Sequence, residues 1–133
     1  MIARVVTDPA AARRHMMCRF LIAEQRTVNA EINLKTPYSP EWAMLLDLYE
    51  AEHAGAIVSL SALWAVTDIP TTNAFRRTQR LLARGIIERR RDRRDRRRTD
   101  VGLSETTRSS MNAVMDRLVH RLPKREANAP DVT

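Results

Sequence analysis

Residues 67–70, Thr-Asp-Ile-Pro, constrain the fold of this chain more than any other stretch. A proline has no amide hydrogen to give a helix and turns the residue before it away from helical geometry. Just upstream, Leu60, Leu63 and Trp64 recur at helical spacing behind Ser59, which is placed to cap them, so a helix over 60–66 must end after barely two turns. Thr71 or Thr72 opens the next helix, which runs to about residue 84 and stops at Gly85. The chain is thereby committed to two short helices across a tight turn.

Beyond Gly85 the hydrophobic period changes. Ile86 and Ile87 are β-branched and begin a strand, residues 90–95 (Arg-Arg-Asp-Arg-Arg-Asp) form a polar turn, and Thr99, Val101 and Leu103 alternate on a returning strand. Ile57-Val58 supplies a short edge strand ahead of the helix pair. The sum is a helix-turn-helix with a β-hairpin wing.

Longer helices flank this unit. From about residue 8 to 35 there is no Gly and no Pro after Pro9, and Met16, Met17, Phe20, Leu21, Val28 and Ile32 recur at roughly helical spacing. Thr36-Pro37-Tyr38 breaks that helix, and Ser39-Pro40-Glu41 starts another over 40–53 with a capping hydroxyl, a proline in the first turn and an early acid. Its stripe of Trp42, Leu45, Leu46, Leu48 and Tyr49 is apolar enough to be central core, and Gly55 ends it. Ser104 and Glu105 open a last helix whose Met111, Val114, Met115, Leu118, Val119 and Leu122 form one stripe up to Pro123. The polar tail, 124–133, is expected to be flexible.

The predicted architecture is mainly α with a small β-wing, in one domain over residues 1–133. The winged core spans 40–103, between outer helices at 8–35 and 104–122.

Charge is concentrated on the same unit. Residues 76–100 hold twelve arginines against four acids, a net +8 in a chain whose total is +7, so the remainder is close to neutral. A clustered cationic patch attracts a polyanion and releases its condensed counterions. Enzyme chemistry is not expected: there is no Ser-His-Asp set, no carboxylate pair in a recognisable motif and no metal motif, and three glycines leave little for a phosphate loop. No cofactor is implied. Cys18 is the single cysteine and His15, His53 and His120 are scattered, which excludes an internal disulfide and argues against a zinc site. No apolar run of membrane-spanning length and no secretory signal pattern is present, so a cytoplasmic protein without a membrane partner is expected.

On its residues, the stretch 68–103 resembles the winged helix-turn-helix of the MarR family of bacterial transcription regulators. Ile69, Thr71-Thr72-Asn73-Ala74, Arg76, Arg80-Leu81, Gly85-Ile86-Ile87-Glu88-Arg89, Asp95-Arg96-Arg97 and Leu103-Ser104-Glu105 stand where that family has its helix start, recognition helix, strand, wing and closing segment. Four positions depart from its pattern: Thr107 for a closing Gly, Asp68 for the Gly of the turn, Trp64 for a small residue and Arg77 for an apolar one.

A recognition helix in the major groove reaches base edges from its first turns. Thr71, Thr72, Asn73 and Arg76 are therefore the candidate base readers, with Arg76 suited to guanine, Asn73 to adenine and the threonine methyls to thymine. Arg77 and Arg80 extend the helix's DNA surface. Arg91, Arg93, Arg94, Arg96 and Arg97 belong to the wing, where the resemblance implies minor-groove or backbone contact, and Asp95 can brace Arg97 and shape the turn. The bland readings are helix capping for Thr and Asn and a solvated charged loop for the wing.

The resemblance also implies a homodimer, with Met17, Phe20, Leu21, Val28, Met111, Val114, Met115, Leu118 and Leu122 as interface candidates; the alternative is that these stripes pack on each other within one chain. Peroxide-sensing relatives keep a reactive cysteine on the first helix, so Cys18 is a redox candidate, although a cysteine among Met16, Met17 and Phe20 is more often a small core residue. Many relatives bind small aromatic acids, but no residue here identifies an effector. The leading expectation is a sequence-specific double-stranded DNA-binding regulator, a repressor for preference because occupancy alone blocks a promoter. A non-sequence-specific architectural DNA- or RNA-binding protein is the alternative.

Overall fold

The computed structural model describes residues 8–32, 39–91 and 98–123, with the side chain of Arg91 excepted. Its elements run α1 (Pro9–Ile32), α2 (Pro40–Ala54), β1 (Val58–Ser59), α3 (Leu60–Ala65), α4 (Thr71–Ala83), β2 (Ile87–Arg91), β3 (Thr99–Leu103) and α5 (Glu105–Arg121). It is mostly helical with one small antiparallel sheet, the architecture of a winged helix.

Local chemistry accounts for most boundaries. Ser39 accepts from the Trp42 amide at the start of α2, Ser59 from Ala62 at the start of α3, and Ser104 from Thr107 at the start of α5, each satisfying an amide that the first turn leaves open. Gly55 and Gly85 both take a φ of 70°, the left-handed conformation that a side chain disfavours, and reverse the chain after α2 and α4. At Gly85 the amides of Gly85 and Ile86 bond back to Leu82 and Leu81, closing α4 before the wing begins.

The sheet has the order β1-β3-β2. Ile87 pairs with Leu103 and Arg91 with Thr99, while Val58 of β1 pairs with Val101. Two expectations shift here. The edge strand lies one residue later than 57–58, and Ile57 is left exposed because Ser59 both pairs with Asp100 and caps α3. Arg90 and Arg91, expected in the turn, extend β2 instead. Arg90 is held in the strand by its side chain, which donates to Glu52 Oε1 at 2.9 Å and to the Leu103 carbonyl at 3.1 Å.

Met44, Leu46, Leu63, Leu103 and Met115 are fully buried and form one core between α2, α3, β3 and α5. Each such side chain contributes roughly 1.5–3 kcal/mol of burial. Met44 is a core residue absent from the expected α2 stripe, whose Trp42 and Leu45 are only partly buried. Along α1, Met17 and Cys18 face inward, whereas Met16 and Phe20 are 70% and 60% exposed, so this helix carries apolar residues on two faces.

Polar links tie the outer helices down. Arg14 of α1 makes a bidentate pair with Asp116 of α5 at 2.7 and 3.0 Å, and the Tyr49 hydroxyl donates to Asn112 Oδ1 at 2.6 Å. His15 and His53, distant in sequence, stack at 3.7 Å between α1 and α2. The first helix is expected from sequence to reach residue 35, and residues 33–35 lie outside the described residues, as does the tail 124–133.

Candidate nucleic-acid interface

Helix α4 owes its position to a threonine and a tryptophan. Ala74, Thr78 and Leu81 face the core, and Thr78 is fully buried with both hydroxyl functions used. Its Oγ1 donates to the Phe75 carbonyl at 2.8 Å and accepts from Trp64 Nε1 at 3.1 Å. The indole also meets the Phe75 ring edge-on, with centroids 5.7 Å apart. Trp64, one of the four departures from the family pattern, thus clamps α4 onto α3.

With that face sealed, Thr71, Thr72, Arg76 and Arg80 are exposed on the rest of the helix. Asn73 and Arg77 are placed differently. Arg77 Nε donates to Asn73 Oδ1 at 2.9 Å, and its Nη1 lies 2.8 and 3.1 Å from the two oxygens of Glu41 on the first turn of α2. Burial pushes the Glu41 carboxyl up, but its backbone hydrogen bond and Arg77 outweigh this and hold it below the ordinary glutamate range. Arg77 and Asn73 therefore brace α4 against α2. In sequence Glu41 is only a first-turn acid, and nothing local reveals a partner thirty-six positions away.

The base of the wing is anchored by Glu52. Its carboxylate accepts from Arg108 Nε at 2.8 Å, Arg108 Nη2 at 3.0 Å and Arg90 Nη2 at 2.9 Å, joining α2, α5 and β2. Burial again works against ionisation, yet the two arginines keep Glu52 below the usual range, and the same contact raises Arg108. Gly102 makes room: a Cβ there would collide with the Arg90 guanidinium. Asp100, buried in β3, is bonded to Arg98 Nε at 2.6 Å. Sequence reasoning misses all four of these anchoring residues, Glu52, Arg90, Asp100 and Arg108, as site residues. Arg93, Arg94, Asp95, Arg96 and Arg97 lie outside the described residues; Arg91 is placed by its backbone at the end of β2.

The nine dimerisation candidates divide by burial. Met17, Met111 and Met115 fill the chain's own core, whereas Phe20, Val114 and Leu122 are exposed and Leu21, Val28 and Leu118 are half-buried. Cys18 is fully buried, its thiol directed at the Leu46 carbonyl at 3.4 Å. Burial, with Glu50 and Asp47 nearby, pushes the thiol up to about 12, the opposite of what a reactive thiolate needs.

An open cleft of about 410 Å³ runs between α1, α2 and the α3–α4 turn, lined among others by Ile22, Arg26, Ala43, Asp47 and Ile69. Among the described residues no group of three or more His, Cys, Asp or Glu is arranged to hold a metal. No described helix is long and apolar enough to cross a membrane.

A helix pair locked at its turn, an exposed second helix and an adjoining antiparallel hairpin define a winged helix-turn-helix, a DNA-binding class of domain. Residues 36–98 match the MarR family, and the chain carries a MarR-like winged helix of the kind found in DNA-binding transcription regulators. The match takes in α2 through β2. No curated protein matches the chain.

Proposed function

We propose that this protein is a cytoplasmic, homodimeric, sequence-specific repressor that lays α4 in the major groove and the arginine-rich wing on the minor groove or backbone. The observation carrying this reading is the outward face of α4. Thr71, Thr72, Arg76 and Arg80 are open to solvent while Ala74, Thr78 and Leu81 seal the opposite side. Groove width admits such a helix, and a guanidinium makes a bidentate pair with guanine. On this reading Arg93, Arg94, Arg96 and Arg97 would add sequence-independent affinity for the backbone or minor groove, and Asp95 would serve to brace Arg97.

A two-fold dimer reads a palindrome, and the exposed Phe20, Val114 and Leu122 on α1 and α5 are the surface we assign to it. The cleft against the α3–α4 turn is the place where a small effector would act on α4.

The reading is tested by selecting bound duplexes from a random pool and competing the winner against excess random DNA. Retention of one palindromic sequence supports the regulator. Displacement in proportion to competitor mass supports the architectural DNA- or RNA-binding alternative, for which the charge density of the wing speaks.

A further inference from the structure

Within α4, helical geometry sets 100° between successive residues, so Thr72, Arg76 and Gln79 at i, i+4 and i+7 share a ridge on the side away from Ala74, Thr78 and Leu81. Arg76 is exposed and Gln79 is half-exposed on that ridge. Asn73 lies off it, half-buried toward α2, with its carbonyl oxygen accepting from Arg77 at 2.9 Å. Bidentate recognition of adenine uses both ends of a carboxamide, the oxygen for N6–H and the nitrogen for N7. Asn73 has its oxygen directed to Arg77, and Arg77 is itself bound to Glu41. Gln79 offers the same chemistry on a longer arm.

Gln79 also stands at a useful distance from Arg76. Three residues of helix rise about 4.5 Å, near the roughly 3.4 Å spacing of bases along one strand. The two side chains are thus stepped to meet neighbouring base pairs. Phe75, one turn before Gln79 at i−4, is 46% exposed and fixed edge-on against Trp64, giving that flank of the ridge a rigid apolar wall.

We propose that Gln79 is the adenine-reading residue of α4, stepped one base pair from a guanine read by Arg76, and that Asn73 is a positioning residue. This rests on the DNA-binding reading above.

Random-pool selection with the wild type, Gln79→Ala, Gln79→Glu and Asn73→Ala separates the two. Gln79→Ala should lose the preference for adenine at one position, with discrimination there falling about tenfold or more. Gln79→Glu should move that position toward cytosine, whose amino group a carboxylate accepts. Asn73→Ala should bind the wild-type motif with the same base preferences and lower affinity at every position alike, and Asn73→Asp, which still accepts from Arg77, should restore it. Adenine preference surviving in both Gln79 variants, or disappearing in Asn73→Ala, would overturn the assignment while leaving the regulator reading intact. A wild type that selects no motif at all overturns both, and that arm is read before any variant.

Discussion

Arg77 Nη1 lies 2.8 Å from Glu41 Oε1, across the junction between the first turn of α2 and the middle of α4. An arginine at a position where MarR-like chains usually carry an apolar residue is accommodated because a carboxylate comes from another helix to meet it. The pair is about one-third open to solvent. It ties the middle of α4 to the first turn of α2.

Glu41→Gln should therefore cost about 1 kcal/mol in urea unfolding, the modest value of a partly exposed charged pair. On DNA it should lower affinity evenly across sequences, because it disturbs the helix and not a base contact. Fluorescence-anisotropy titrations of the selected operator and its single-base variants check this, and a change in base preference would contradict it.

Gly102 and Arg90 form a second testable couple. Gly102→Ala should destabilise the fold by up to about 1 kcal/mol, the value of a partly exposed ion pair, because the added methyl displaces the movable Arg90 guanidinium from Glu52. In an Arg90→Ala background the same substitution should cost much less. Denaturant midpoints for the four members of the cycle measure the coupling, and additivity would show that the collision is absent.

Acid should loosen the anchor of the wing. Glu52 is held below its ordinary range in the folded state, so its stabilisation is complete above the unfolded value of about 4.3 and is lost as pH falls through the lower folded value. Glu52→Gln should be less stable than the wild type by about 2 kcal/mol at neutral pH. The gap should narrow steadily below about pH 4. Thermal unfolding followed across that range by circular dichroism gives the comparison.

Cys18 should behave as a core residue. With the thiol fully buried and pushed up to about 12, it stays protonated at neutral pH. Alkylation of the native protein should proceed only as fast as the fold opens, and hydroperoxide should leave DNA binding unchanged. Rapid labelling of folded protein, detected by mass spectrometry, would restore the redox candidate.

Phe20 tests the dimer. Because it is 60% exposed, Phe20→Asp should leave helix content intact yet reduce the sedimenting mass to that of one chain. An unchanged dimer, or a wild type already monomeric at micromolar concentration, would remove this face from the interface.

Much of the architecture is legible in short windows of sequence. Ser39, Ser59 and Ser104 cap helices, Gly55 and Gly85 end them and Pro70 separates α3 from α4, because each acts on amides and carbonyls within a few residues. The outward placement of Thr72, Arg76 and Arg80 comes from the same helical period that buries Ala74 and Leu81. Tertiary structure alone decided which face of a doubly apolar helix is core, so that Met17 went inward and Met16 and Phe20 outward. It also decided which charges answer one another. Glu41 meets Arg77 and Glu52 meets Arg108 across 36 and 56 positions, and such pairings depend on how packed helices are juxtaposed, which no local pattern encodes.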